Sequence, residues 1–226
     1  MKTVIVVPAF NESAAISKVL TGIPKKLKGI SQLSTLVVDD GSGDNTSQKA
    51  KKAGVFVVRH VINRGLGAAI KTGLDWAKSQ GADIAVTFDS DGQHDPTDIP
   101  RLIQPILNKD ADLVIGSRFK KKQSIPADRL ILNWFANLTT LVMFGVHSTD
   151  SQSGLRAFSK KAMAQIDLKA DRMDFSSEIL IEAKRHNLKI EEIPIKAIYT
   201  DYSRKKGQKN LNAIPVFARI LIRFLR

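Results

Sequence analysis

Three aspartates, Asp89, Asp91 and Asp95, crowd into the stretch VTFDSDGQHDP, at the end of the apolar run 84–88. Side chains two apart on an extended backbone share a face, so Asp89 and Asp91 point the same way if the strand continues that far. Two such carboxylates repel each other unless a cation lies between them. With the amide of Gln93 nearby, this hard oxygen set suits Mg2+ or Mn2+, ions that keep positions open for substrate phosphates. An isolated D-x-D is often no more than a turn or a helix cap. Paired carboxylates acting as acid and base on a glycosidic bond are the rival chemistry, and they leave Asp39 and Asp40 without a role.

Three further polar clusters follow apolar runs in the same way. The first is Pro8, Asn11 and Glu12 in PAFNE; the second is Asp39, Asp40 and Gly41 in DDGS; the third is Arg64 and Gly65 in NRGLG. Parallel strands end on one edge, and open α/β sheets bind ligands outside that edge. Four clusters in succession exceed what turn chemistry alone requires. The glycines lack the third small residue of a dinucleotide fingerprint, and the sequence has no G-x-x-x-x-G-K-[ST] loop. Gly65 and Gly67 let the chain turn into a helix and leave room for a ligand at the main chain.

The elements that must place these clusters are legible as alternating patterns. Continuous apolar runs at 3–7, 35–38, 55–58, 84–88 and 112–115 read as strands covered on both faces. Helical patterns fill the gaps at 14–20, 46–53, 66–78 and 97–107, with Asn11 or Ser13 as caps for the first and a kink expected at Pro105. The alternation predicts an α/β fold, doubly wound, with a mostly parallel sheet and helices on both faces. A helix at 175–186 and a strand at 190–195 follow. Residues 130–149 carry no Asp, Glu, Lys or Arg, yet Asn133, Asn137, Thr139, Thr140, His147 and Ser148 make a poor membrane span. A helix or helix pair lying in an interface is the better reading. The segment LNAIPVFARILIRFLR, 211–226, is an amphipathic helix that lies on a membrane surface or packs on its own domain.

Composition narrows the function. There is no cysteine, which removes disulfides, thiolate catalysis and cysteine zinc sites, and the four histidines lack metal-ligand spacing. The N-terminus does not read as a signal peptide. Residues 1–117 hold 14 basic against 12 acidic side chains, whereas 118–226 hold 21 against 10. Most of these charges read as solvated faces; the excess in the second half fits an anionic partner. With 6 % aromatic residues and no recognisable nucleic-acid motif, no nucleic acid is expected as that partner.

Taken together, P-x-x-N-E, V-V-D-D-G-S-x-D, N-x-G-x-G-A and D-x-D-G-Q-H resemble the inverting family 2 glycosyltransferases of the GT-A fold. Gly116-Ser117-Arg118, Arg129, DSQSGLR at 150–156 and the residues 175–178 extend the likeness to the dolichyl-phosphate mannose synthase-like, polyprenyl-phosphate branch. The resemblance implies a catalytic domain over 1–210, divided into a nucleotide-sugar half, 1–117, and an acceptor half, 118–210. It implies that Pro8, Asn11, Glu12 and Asp39 surround base and ribose, and that Asp40 and Asp89 hold the nucleotide-sugar, with Gly41, Arg64 and Gly65 beside it. Asp89, Asp91 and Gln93 would bind Mg2+ or Mn2+ with the diphosphate. Arg118 and Arg129 would draw the acceptor phosphate to the anomeric carbon. Gln152 and Arg156 would shape the sugar and phosphate site, and Arg204 and Lys209 would lie on a loop closing over the phosphates.

The expected reaction moves a hexose from a nucleotide-sugar of the GDP-mannose or UDP-glucose type to a polyprenyl phosphate. A saccharide or other hydroxyl acceptor is the alternative. The expected place is the cytoplasmic face of a membrane, bound peripherally or through a membrane-embedded partner subunit. Two departures stand out: Asn133 where many members have Ser, and RKKGQK at 204–209 where the loop usually reads Gly-x-Ser-Lys. Many relatives continue into membrane-spanning helices, whereas this sequence ends at Arg226, so a peripheral form and a fragment are both open.

Overall fold

The computed structural model describes residues 1–198 apart from 122, 124, 172 and 173. Arg204, Lys209 and the 211–226 segment lie outside the described residues. The elements run β1 (Lys2–Ala9), α1 (Ile16–Gly22), β2 (Gln32–Asp39), α2 (Thr46–Lys52), β3 (Phe56–Arg59), α3 (Leu66–Ser79), β4 (Ile84–Thr87), a 3-10 turn (Pro96–Asp98), α4 (Ile99–Leu107) and β5 (Leu113–Ser117). They continue α5 (Ala127–Phe144), β6 (Arg156–Ser159), α6 (Lys160–Gln165), α7 (Phe175–Arg185) and β7 (Ile190–Pro194).

The strands form one sheet in the order β3-β2-β1-β4-β6-β5-β7. β1 pairs parallel with β2 and β4, β2 with β3, and β5 with β7. β6 runs antiparallel to both neighbours, β4 and β5. This orientation governs the site. Because β6 is reversed, β5 and β7 point the same way as β1–β4. The carboxyl ends of six strands and the start of β6 therefore meet at one edge. The strand order also turns at β1, with β2 on one side and β4 on the other, so the crevice opens between the loops after β1 and β4.

Both faces of the sheet are covered, which is why its strands read as unbroken apolar runs. Val4 and Val6 face Ile70 and Leu74 of α3 and Phe175 and Ile179 of α7. Ile5 and Val7 face Ile16, Val19 and Leu20 of α1 and Leu102 and Ile103 of α4. Val4, Ile5, Val6 and Val7 are each fully buried, so β1 is the spine of both cores.

Three local readings need correction. Neither Asn11 nor Ser13 caps α1; its N-cap is Ala15, without a side-chain bond, because the chain at Asn11–Ser13 is committed to the loop after β2. The expected helix 97–107 is split into the 3-10 turn and α4, since the Asp95 carboxylate caps the turn by accepting from Thr97 N–H. β6 and α6 lie in a region where the sequence pattern predicted neither. β6 has only four residues and begins with a buried arginine, which hides its apolar alternation.

Among the described residues no helix is long and apolar enough to cross a membrane. The uncharged stretch instead yields α5, which ends at Gly145 in a left-handed conformation. One side of α5 grips the domain: Asn133 and Asn137 both donate to the carbonyl of Thr149, at 2.9 and 2.8 Å. Lys184 caps its last turn by donating to the carbonyls of Phe144 and Gly145.

Candidate active site

The loop after β2 is the frame. Asp39, fully buried, accepts from Ser42 N–H at 2.9 Å and from the Ser47 hydroxyl. Gly41 has φ +75°, and a Cβ there would sit 2.6 Å from the carbonyl carbon of Ile62, so this turn needs glycine twice over. The end of β1 is stitched to it. Asn11 N–H donates to Ser42 Oγ at 2.9 Å, Glu12 N–H to Thr46 Oγ1 at 2.8 Å, and Gly43 N–H to Asn11 Oδ1 at 2.9 Å. Asn11 takes a positive φ of 52° to do so. Pro8 stays within β1, paired with Val38.

Asp40 fastens the third cluster. Its carboxylate accepts from Arg64 N–H at 2.9 Å and Gly65 N–H at 2.7 Å. The buried His60, which the sequence reading left without a role, lies 2.6 Å from the same carboxylate. The Arg64 guanidinium is exposed, 4.0 Å from Asp171. Gly67, expected to leave room for a ligand, meets its own chain: a Cβ there would lie 2.1 Å from Ala170 O.

The D-x-D turn departs from the strand reading. β4 stops at Thr87, and Asp89–Gly92 form a turn, so the two carboxylates converge by turn geometry. Asp89 is bonded to His94 Nε2 at 3.0 Å, and His94 Nδ1 is buried with no partner among the described residues. Gly154 presses on the other side: a Cβ there would be 2.1 Å from Asp89 Oδ2. Asp91 accepts from Gln93 twice, from its N–H at 2.9 Å and its side-chain amide at 2.5 Å. Desolvation pushes the Asp89 carboxyl up, but His94, Arg118 and Arg156 outweigh it and hold the group below the ordinary carboxylate value. Asp91 goes the other way, raised by desolvation and then by the charge of Asp89.

That asymmetry favours a divalent ion between the two carboxylates. Asp91 is an electrostatically unfavourable carboxylate beside an ionised one, a pair that a cation would relieve. Among the described residues, no three acidic, imidazole or thiol groups gather as a metal site. The protein thus offers a partial oxygen set, suited to an ion whose other ligands come with a phosphate substrate.

The second half brings the cations. Arg118 donates to Asp150 through Nε and Nη2, both at 2.8 Å, and its backbone N–H donates to Asp150 Oδ2 at 3.0 Å. Asp150 N–H donates to Ser148 Oγ at 3.2 Å, joining a part-buried polar network in which Glu192 of β7 accepts from Ser148, from Thr149 N–H and from the Thr149 hydroxyl. Arg156 is 1 % exposed and donates to the carbonyls of Ser151, Ser153 and Ser176. Burial pushes its guanidinium down to about 10, against the carboxylates of Asp150, Asp89 and Glu192. It therefore acts on the turn beneath the site, through carbonyls and charge. Gln152 is half-buried, with its amide 3.5 Å from Ser151 Oγ. Arg129 lies in the first turn of α5, half-buried. The Glu178 carboxylate accepts from the N–H groups of Lys169 and Ala170, which makes it a loop anchor on α7.

Residues 4–167 match the model of glycosyl transferase family 2. The chain belongs to that family. A relative 38 % identical is the UDP-N-acetylglucosamine–dolichyl-phosphate N-acetylglucosaminyltransferase of Methanococcus voltae, aligned over 96 % of this chain and 94 % of that one. The undecaprenyl-phosphate mannosyltransferase of Micrococcus luteus is 30 % identical, over 91 % of this chain and 87 % of its own. Among solved structures, the Mycobacterium tuberculosis glucosyl-3-phosphoglycerate synthase bound to Mn2+, UDP and phosphoglyceric acid superposes with a TM-score of 0.72 at 22 % identity, covering 99 % of this chain and 78 % of that one. At that identity the likeness establishes the fold, GT-A, and no more. As a family 2 glycosyltransferase the chain is an enzyme of sugar transfer, and its sheet edge is the candidate place for that transfer.

Proposed function

We propose that this family 2 glycosyltransferase moves a sugar from a nucleotide-sugar to a polyprenyl phosphate, with inversion at the anomeric carbon. One observation carries the reading: Asp89, bonded to His94 Nε2 at 3.0 Å and within reach of the charges of Arg118 and Arg156, is held below the ordinary carboxylate value against its burial, with the raised carboxyl of Asp91 beside it. A donor diphosphate and an acceptor phosphate are both anions, and this edge supplies counter-charge for each. The names of the relatives in Methanococcus and Micrococcus support a lipid-phosphate acceptor.

In this reading Asp91 and Asp89, with Gln93 orienting Asp91, would hold Mg2+ or Mn2+. The ion, when bound, neutralises charge on the donor's diphosphate. Asn11, Glu12, Asp39 and the loop of Gly41 form the nucleotide side, and Arg64–Gly65 borders it. Arg118, its fork fixed by Asp150, holds positive charge where the acceptor phosphate must approach, and Arg129 adds charge from the start of α5. A phosphate oxygen then forms the bond to the anomeric carbon. The bond from that carbon to the diphosphate breaks, and its electron pair leaves with the nucleoside diphosphate. The acceptor's second pKa is about 6, so no base has to remove a proton at neutral pH. This agrees with Glu178 being committed to backbone N–H groups.

The membrane side of the reading rests on α5. Ile131, Trp134, Phe135 and Val142 are each more than half exposed, with Leu130, Leu138 and Leu141 on the same face. Trp and Phe on an exposed helix face suit an interface with lipid headgroups and acyl chains. Lys120 and Lys121, exposed just before α5, suit anionic headgroups. The chain would then work peripherally, at the cytoplasmic face. The experiment is a transfer assay with radiolabelled UDP- and GDP-sugars, polyprenyl phosphate vesicles and Mn2+. Label is expected in the organic phase; label found only on added saccharide acceptors would reject the lipid-phosphate reading.

A further inference from the structure

His60 follows β3, is 9 % exposed, and is bonded at both ring nitrogens. Nδ1 lies 2.6 Å from Asp40 Oδ1, and Nε2 lies 2.9 Å from Thr72 Oγ1 on α3. A carboxylate only accepts, so Nδ1 carries the hydrogen toward Asp40. In the neutral ring Nε2 then accepts from the Thr72 hydroxyl, which fixes the tautomer. The relay runs from Thr72 through His60 to Asp40.

Asp40 does not end the chain of contacts. The same carboxylate receives the N–H groups of Arg64 and Gly65, at 2.9 and 2.7 Å. Gly65, at φ +109°, is the N-cap of α3 and has no side chain with which to steady itself. The position of this loop against the β2 turn is therefore set by one carboxylate, and the aim of that carboxylate is set by His60. A core histidine serving only the fold could be satisfied by any pair of partners. Here both partners belong to segments that border the donor edge.

We propose that His60 and Thr72 are positioning residues for the nucleotide-sugar, acting through Asp40 on the Arg64–Gly65 loop. The proposal rests on the donor-site reading above. A hydrogen bond to a charged group contributes enough for its loss to weaken donor affinity about 10-fold.

The test compares the whole chain with His60→Phe, His60→Asn and Thr72→Val. Two quantities are read: hydrogen exchange of the Arg64 and Gly65 amides, and the affinity for UDP and for GDP with Mn2+. His60→Phe is expected to speed exchange at these two amides, leave β1 protected, and weaken nucleotide affinity about 10-fold. His60→Asn, whose amide can still donate to Asp40, should restore most of both. Thr72→Val, isosteric and half-buried, should weaken affinity about 3-fold, and it decides the matter if His60→Phe does not fold. Unchanged exchange at 64–65 in Thr72→Val, and in His60→Phe where it folds, with full nucleotide affinity, would overturn the proposal. Faster exchange with unaltered affinity would also overturn it, leaving a role in the fold alone. A wild-type chain that binds neither nucleotide would overturn the donor-site reading itself, and this role with it.

Discussion

If Asp91 holds an ion as proposed, it is the residue where folding and function pull apart. Its carboxyl is raised above the ordinary value of 3.8 by desolvation and then by Asp89, so folding disfavours its charged form relative to the unfolded chain. For such a group the ligand-free protein loses stability as pH rises through the window from 3.8 up to the raised value, and the loss persists above it. Asp91→Asn removes the charge. Its melting temperature at pH 7 should exceed the wild type's by about 2 °C, with a smaller gap at pH 4, while its transfer rate falls about 100-fold or more. Calorimetry beside the transfer assay checks both. Asp89 has the opposite sign: its carboxyl is lowered, so its contribution is present at neutral pH and is lost only as pH falls below the ordinary value. Gly154 offers a second residue-scale test. A Cβ there would lie 2.1 and 2.3 Å from the two Asp89 oxygens, so Gly154→Ala must displace that carboxylate. Activity should fall at least 10-fold with far-UV dichroism unchanged. Residue types at this scale were legible in the sequence: Asp89, Asp91, Asp39 and Asp40 stand out as carboxylates at strand ends. Their partners were not. Nothing in the string GVFVVRHVINRG pairs His60 with Asp40, twenty positions earlier, because that contact exists only once β2 and β3 lie side by side.

Among the described elements, α5 (Ala127–Phe144) carries an apolar face that points away from the domain. Its polar positions Asn133 and Asn137 bond to the Thr149 carbonyl, and Thr140 is fully buried, whereas Trp134 and Phe135 are each 57 % exposed. Removing exposed apolar side chains from a surface helix does not cost core packing. Trp134→Ser with Phe135→Ser should therefore leave the melting temperature within about 2 °C while abolishing co-sedimentation with anionic vesicles. Retained vesicle binding would place the membrane contact elsewhere. The strands were readable because a sheet covered on both faces demands unbroken apolar runs, and 3–7, 35–38 and 84–88 are such runs. β6 escaped because RAFS is four residues long and its first side chain is a buried arginine whose burial depends on three distant carbonyls. The strand read as 84–88 ends at Thr87 and does not continue to Asp89, so the pair lies on a turn at Asp89–Gly92 and pleat alternation does not govern it.

At the scale of the molecule, one reversed strand explains why two halves of unequal charge share a site. β6 enters antiparallel between β4 and β5, which places the 150–156 loop, Arg118 and the D-x-D turn at a common edge. The sequence showed the alternation that predicts a doubly wound sheet, but strand order and the reversal depend on long-range pairing that no local pattern records. That edge presents the two carboxylates proposed to hold an ion and, among the described residues, no third acidic, imidazole or thiol group gathered with them. Ion and nucleotide should therefore bind together or hardly at all. The direct measurement is calorimetric titration of UDP and GDP into the wild type and Asp91→Asn, with and without Mn2+. Binding of one nucleotide at micromolar strength is expected only for the wild type with Mn2+, weakening as pH falls at values above those of an ordinary carboxylate. Equal affinity without Mn2+, or in Asp91→Asn, would contradict the assignment of the paired carboxylates to the donor's diphosphate.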